Sequence, residues 1–71
     1  MPISNGQASD DELIVESQAA DFLKLSCRTL QAWRPLGIGP PYVRVGRAIR
    51  YRRGDLIAWI KQNTVTPRQP T

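Results

Sequence analysis

The stretch YVRVGRAIRYRR, residues 42–53, limits the possible folds of this chain more than any other segment. Apolar and polar residues alternate on both sides of Gly46, and this pattern predicts two short antiparallel strands joined by a tight turn. Five of the twelve positions are arginine: Arg44, Arg47, Arg50, Arg52 and Arg53. Like charges that face each other across a hairpin destabilise it. Their crowding therefore indicates a surface that meets negative charge.

The register of this hairpin is predicted from its apolar side chains. A three-residue loop over residues 46–48, with Arg47 at its tip, would pair Val45 with Ile49. It would also pair Val43 with Tyr51, so that all four apolar side chains share one face. The other face would carry Tyr42, Arg44, Arg50 and Arg52. A two-residue loop would pair Val43 with Arg50 and mix the faces, and we reject it for that reason.

Two short helices are predicted before the hairpin. Over residues 16–24, Ala19, Ala20 and Leu23 fall on one side at helical spacing, and the small alanines allow a second helix to approach closely. Ser26 is a good N-cap for a second helix over residues 27–33. Pro35 opposes the continuation of that helix, and the glycines after it indicate a stop. Two helices joined by about three residues are typical of a helix-turn-helix.

The second helix has two different faces. Leu30 and Trp33 lie on the side of Ser26 and would fix the helix to the core. The opposite side carries Arg28, Gln31 and Ala32, and the flanks carry Cys27 and Thr29. Together with Ser26 and Arg34, these are the candidate contact residues of the helix. Arginine reads guanine and glutamine reads adenine in the major groove of DNA. Two ordinary surface residues are the alternative interpretation of Arg28 and Gln31.

A third helix is predicted after the hairpin, over residues 54–62. Leu56, Trp59 and Ile60 have the spacing of a stripe that packs on a core. Asp55 lies near the start of this helix, where a negative charge is favourable. Phe22 and Ile57 point away from the main stripes of their helices, so they pack on each other or contact a partner.

The charges of the chain are segregated along its length. Residues 1–25 carry five acidic residues and one lysine, a net charge of −4, whereas residues 26–53 carry seven arginines and no acidic residue, a net charge of +7. Such a block predicts a polyanionic partner. A solvated basic face is the alternative, although solvated faces usually mix the two signs.

The composition restricts the class of protein. A chain of 71 residues makes one domain, for which we expect a folded part over residues 13–63, a disordered arm over residues 1–12 and a disordered tail over residues 64–71. No apolar run approaches the roughly 20 residues of a membrane span. The single cysteine, Cys27, cannot form an internal disulfide, so we expect a cytoplasmic protein. Without histidine, neither acid–base catalysis nor a zinc site is expected, and we predict no enzyme, metal or cofactor.

Two segments together carry a family resemblance: AADFLKLSCRTLQAW, residues 19–33, and GPPYVRVGRAIRYRRGDLIAW, residues 39–59. The chain resembles the excisionase or AlpA-like DNA-binding domains, small relatives of the MerR-like regulators, over about residues 14–61. The resemblance implies a mostly α winged helix-turn-helix, with three short helices and a two-stranded wing. It also implies a bacterial or phage protein whose second helix enters the major groove of duplex DNA.

The resemblance assigns contact residues by position. The recognition helix would carry Arg28, Thr29, Gln31 and Ala32, and the wing tip would be Gly46, Arg47 and Ala48. Four residues depart from the family pattern at helix ends. Val15 stands where a threonine cap is common, Lys24 replaces a frequent turn glycine, Pro35 would shorten the recognition helix, and Gly54 stands where serine, proline or glutamate is more usual.

Three functions agree with these features. We favour an excisionase, a recombination directionality factor that binds and bends DNA beside an attachment site, with a tyrosine-type integrase and further copies of itself as partners. A small AlpA-type transcriptional regulator would use the same domain, because the fold does not decide between the two. A protein-interaction module or antiactivator that binds an acidic protein is a third possibility. No membrane or small-molecule partner is expected.

Overall fold

The computed structural model describes residues 10–67, which form three helices and a small antiparallel sheet. In chain order the elements are β1 (Leu13–Val15), α1 (Glu16–Leu23), α2 (Cys27–Leu36), β2 (Val43–Val45), β3 (Ala48–Arg52) and α3 (Arg53–Gln62). The strands lie in the order β1-β3-β2, so β3 is central. This is the predicted winged helix-turn-helix, with one additional strand. Residues 1–9 of the predicted arm and residues 68–71 of the predicted tail lie outside the described residues.

The core lies between the helices and one face of the sheet. Its buried residues are Ala19, Ala20, Leu30, Tyr51 and Leu56. Both alanines of α1 are buried, as their helical spacing predicted. Half-buried side chains surround this cluster, among them Trp33, whose ring centroid lies 5.9 Å from that of Trp59 in α3. The tryptophan pair thus connects α2 to α3 beside the core.

Helix α1 ends in a backbone geometry that is typical of helix C-termini. At the end of α1, the Lys24 N–H donates to the Asp21 carbonyl and the Leu25 N–H donates to the Ala20 carbonyl. Together these two bonds form a Schellman motif, which requires a left-handed residue at its centre. Lys24 takes this conformation with φ +59, as the only residue other than glycine that has a positive φ within residues 10–67. Lys24, which stands where the resembled family often has glycine, thus occupies a position whose backbone conformation favours glycine.

The second helix is longer than predicted. It continues through Pro35 to Leu36, so the prediction that it ends at residue 33 is wrong. A proline in the last turn removes only one helical hydrogen bond. The carbonyls of Trp33 and Arg34 are satisfied by the N–H groups of Ile38 and Gly37 in a second Schellman motif. At the other end, Ser26 caps the helix as predicted, and its Oγ accepts from the Thr29 N–H at 3.1 Å.

The hairpin has the register that the sequence analysis rejected. Val43 pairs with Arg50 and Val45 pairs with Ala48, which leaves a two-residue loop of Gly46 and Arg47. Gly46 has φ +61 and occupies the first loop position, where a type II′ turn takes glycine. Such a turn matches the right-handed twist of the strands, and this local preference outweighed the burial of the two valines.

The register changes which arginines share a face. Arg44 pairs with Ile49, so it lies on the inner face of the sheet with Tyr51. Arg50 and Arg52 lie on the outer face with Val43 and Val45. The prediction that Arg44, Arg50 and Arg52 form one basic face is therefore wrong. The wing instead presents arginines on both of its faces and Arg47 at its tip.

The segment before α1 was not predicted as a strand. Leu13–Val15 pairs with β3, in a register that places Ile14 opposite Tyr51. The residues just before it reach the start of α3, where the Glu12 carbonyl accepts from the Arg53 N–H and the Asp10 carbonyl accepts from the Gly54 N–H. A Cβ at residue 54 would lie 2.9 Å from the Asp10 oxygen, which explains the glycine there. No side chain caps the N-terminus of α3, and these two backbone hydrogen bonds take the place of such a cap.

Replacing Lys24 by glycine should stabilise the domain. An L residue in the left-handed region costs about 1–2 kcal/mol, and the greater freedom of glycine in the unfolded chain offsets part of this gain. We expect a net increase of about 1 kcal/mol in the free energy of unfolding, and a higher Tm by about 4–8 °C. Thermal unfolding followed by circular dichroism measures it. Lys24→Ala is the control, because it removes the side chain but keeps the Cβ; equal stability of the two variants would contradict the prediction.

Candidate nucleic-acid interface

The exposed face of α2 is the first part of the candidate interface. Arg28, Gln31 and Ala32 are all exposed, as the helical spacing predicted. Thr29 is half-buried, and its Oγ1 lies 3.0 Å from the Ser26 Oγ. Cys27 packs against the core cluster, on the side of α2 away from the exposed residues. The N-terminal half of α2 therefore offers a basic and an amide side chain to a ligand.

The wing is the second part of the interface. Its loop residues Gly46 and Arg47 are exposed, and so is Arg44 in β2. Ala48 is half-buried at the start of β3. On the outer face, the Arg50 Nη1 donates to the Ile49 carbonyl at 2.9 Å, and Arg52 forms an ion pair with Asp55 at 3.0 Å.

The arginines between residues 26 and 53 fall into two groups. Four of them have partners inside the protein: Arg34, Arg50, Arg52 and Arg53, the last lying over the Phe22 ring at 5.1 Å. The other three are exposed and have no hydrogen bond, ion pair or ring contact with any residue between 10 and 67: Arg28, Arg44 and Arg47. One of these three lies on α2 and two lie on the wing. These side chains can bind an external anion without breaking an internal contact.

Arg34 differs from the other predicted contact residues, because its side chain is held on two sides. Its Nε donates to the Glu16 Oε2 at 3.2 Å, and its guanidinium lies over the Tyr42 ring at 6.0 Å from the centroid. Tyr42 in turn contacts Tyr51, with 6.2 Å between the ring centroids. Arg34 therefore joins α2 to the sheet.

Glu16 is the residue that the sequence analysis missed. Its Oε2 accepts from the Arg34 Nε and from the Tyr51 hydroxyl, each at 3.2 Å, and its Oε1 accepts from the Gln31 Nε2 at 3.3 Å. One carboxylate at the start of α1 thus connects two residues of α2 to β3. In the sequence, Glu16 looks like any other member of the acidic block, and no spacing separates it from its neighbours.

Tyr51 lies under this network with only 1% of its surface exposed. Burial and, after it, the negative charge of Glu16 and the hydrogen bond to it raise the pKa of Tyr51 from 10.0 to about 12, while Arg34 opposes the shift. Burial and the charge of Glu16 raise the pKa because each disfavours the charged phenolate. The hydroxyl therefore stays protonated and donates to Glu16 at ordinary pH.

Residues 10–67 lack two features that belong to other kinds of site. They contain no cluster of three or more histidine, cysteine, aspartate or glutamate side chains that could hold a metal ion. Among the same residues, no helix combines the length and apolarity required to cross a membrane.

The comparisons with known proteins agree with this geometry. Residues 17–64 match the family described as helix-turn-helix domain. The chain belongs to this helix-turn-helix family. The chain is also 43% identical over 65 residues to the transcriptional repressor DcmR of Methylorubrum extorquens, an alignment that covers 86% of the chain and 24% of that relative. The chain thus spans about a quarter of the length of this repressor.

The family match covers both parts of the candidate interface. The matched residues include α2 and both strands of the wing. The three unpaired arginines all lie within the matched region.

The stability of this helix-turn-helix should fall at alkaline pH through Tyr51. Because the folded pKa of Tyr51 lies above the ordinary value of 10.0, its contribution is complete below pH 10 and is lost as the pH rises towards 12. Denaturant unfolding at several pH values between 9 and 12 measures this loss. Tyr51→Phe should remove it, and an identical alkaline decline in both proteins would contradict the assignment.

Proposed function

We propose that this chain binds specific sequences of double-stranded DNA through α2 and the wing. The observation that carries the proposal is a set of three exposed arginines that have no partner within residues 10–67: Arg28, Arg44 and Arg47. Unpaired guanidinium groups replace counterions on DNA phosphates at no cost in broken ion pairs. Helix α2 and the wing both carry such groups. This arrangement suits one element to a groove of the DNA and the other to the sugar-phosphate backbone beside that groove.

The exposed face of α2 would read bases in the major groove. Arg28 would bind the O6 and N7 of guanine, and Gln31 would bind the N6 and N7 of adenine. Thr29 and Ala32 would contribute shorter contacts, such as one to a thymine methyl group. Ser26 and Cys27 lie at the N-terminus of the helix, where backbone N–H groups favour a phosphate.

The wing would bind the DNA backbone. Arg47 lies at the tip and would enter a narrow minor groove, where the negative potential is strongest. Arg44 lies on one face of the wing and Arg50 and Arg52 lie on the other. Arginines on both faces suit a wing placed between the two phosphate strands that border a minor groove. Arg50 and Arg52 would first have to release their internal partners.

The biological role that we propose first is transcriptional regulation in a bacterial cytoplasm. Its support is the similarity to a protein named as a transcriptional repressor. This reverses the order that the sequence favoured, because the sequence offered no relative of known role. We also propose membership of the MerR-like superfamily, on the resemblance of the helix-turn-helix and wing.

An excisionase role is the second candidate, and the distribution of arginines over both wing faces favours it. A wing held between two phosphate strands neutralises charge on both and assists bending of the duplex. The partners would then be a tyrosine-type integrase and further copies of the chain on adjacent sites. Stimulation of excision by the purified chain, assayed with the integrase encoded nearest to its gene, would establish this role. Repression of a reporter from the selected site, without such stimulation, would favour the regulator.

Alanine substitutions separate base reading from backbone binding. Arg28→Ala should lower affinity for the selected site by roughly 1–3 kcal/mol and relax the preference at one base pair, because a bidentate contact is lost. Arg47→Ala should weaken binding to all duplexes alike and reduce the logarithmic salt slope by about 1. Fluorescence anisotropy with a site selected from a random library, and with a scrambled duplex, measures both effects over a salt series.

Lys61→Ala is the matched control, since it removes one positive charge from α3, outside the proposed surface. Its affinity and salt slope should stay close to those of the wild type. Full affinity in the double variant that lacks both Arg28 and Arg47 would refute the site. A flat dependence on salt would refute binding to phosphates altogether.

A further inference from the structure

The carboxylate of Glu16 lies behind the recognition helix with three donors on its two oxygens. Arg34 and Tyr51 both donate to Oε2, and Gln31 donates to Oε1. The Glu16 side chain is only 16% exposed, so water competes little for the bonds from Arg34 and Tyr51, whereas the bond from Gln31 lies at the surface. We infer that Glu16 is a positioning residue that fixes the orientation of the Gln31 side-chain amide and so sets the base that Gln31 prefers. This inference rests on the proposed function.

The orientation of the Gln31 amide follows from the chemistry of its partner. An ionised carboxylate only accepts hydrogen bonds, so the Gln31 group that faces it must be the NH₂ and not the oxygen. The reversed amide would place two acceptor oxygens against each other. A solvent-exposed glutamine without such a partner turns freely between the two orientations. Glu16 therefore holds the Gln31 amide in one of them.

The fixed amide has a defined set of free groups. After one N–H is used on Glu16, Gln31 retains its second N–H and its Oε1 for a ligand. Adenine offers the matching pair in the major groove, because its N7 accepts and its N6 amino group donates. Guanine offers acceptors at both positions, so its O6 would meet the Gln31 oxygen. The fixed orientation thus favours adenine over guanine.

Replacing Glu16 by glutamine should reverse this preference without removing a side chain. A glutamine at this position has one oxygen, and the Arg34 and Tyr51 donors both require it at the place of Oε2. Its NH₂ group is then placed towards Gln31. That group would turn the Gln31 oxygen inwards and its N–H groups outwards, towards carbonyl-bearing bases such as guanine or thymine.

Selection of bound duplexes from a random library tests the inference, with the wild-type chain, Gln31→Ala, Glu16→Gln and Asp21→Asn compared in parallel. Gln31→Ala identifies the base pair that depends on Gln31. At that base pair we expect Glu16→Gln to lower the preference for adenine by about tenfold, with the other positions unchanged. Asp21→Asn is the control, because it removes the same charge from an exposed position of α1 and should leave every preference unchanged.

The possible failures of this experiment are distinguishable. If the wild-type chain selects no sequence, or if Gln31→Ala changes no position, the proposed function or the role of Gln31 is wrong, and the inference falls with it. If Gln31→Ala relaxes one adenine position and Glu16→Gln leaves it intact, the inference alone is wrong. If Glu16→Gln loses affinity equally for all duplexes, Glu16 has only a structural role, and the inference is again wrong.

A measurement on the wild-type protein covers the case in which Glu16→Gln does not fold. Nuclear Overhauser contacts between the Gln31 side-chain amide protons and the Glu16 methylene protons would support the fixed orientation. Their absence, with rapid exchange of both amide protons, would overturn it.

Discussion

The burial of Tyr51 is the constraint on which the rest of this small domain depends. Among residues 10–67 it is the largest fully buried side chain, and it lies on the central strand, between the two edge strands. Because side chains alternate along a strand, an inward Tyr51 forces Ile49 inwards as well and forces Arg50 and Arg52 outwards. The position of one aromatic ring thus orients the whole of β3, and α3 follows β3 without an intervening loop.

The same ring ties the sheet to the recognition helix. The Tyr51 hydroxyl donates to Glu16, which also accepts from Arg34 in α2, while Arg34 lies over Tyr42 next to the sheet. A buried hydroxyl and a nearly buried carboxylate are costly unless their hydrogen bonds are made. In this network both the hydroxyl and the carboxylate have partners. The same hydrogen bonds link α2, which carries one of the proposed DNA contacts, to the sheet that carries the other.

Local signals in the sequence were sufficient for the helices and their order. Ser26 as a cap, the paired alanines of α1 and the stripe of α2 depend on neighbours within a few residues, and the structure has all of them. The hairpin register could not be predicted by counting apolar residues, because the type II′ turn at Gly46 and the pairing with β1 decide it. The strand β1 has only three residues and no alternation that would have indicated it.

Long-range contacts explain why the role of Glu16 was not visible in the sequence. Its partners Gln31, Arg34 and Tyr51 lie 15, 18 and 35 residues away. The contact with Arg34 makes the Glu16 carboxylate acceptable beside a surface proposed to meet DNA. The positive charge of Arg34 lies 3.2 Å from Glu16, so the pair is nearly neutral to a phosphate at a distance. In the proposed complex, the acidic residue would orient Gln31 without repelling the DNA backbone, while Arg28, Arg44 and Arg47 would supply the attraction. Arg34 would then contribute by neutralising a carboxylate, without a DNA contact of its own.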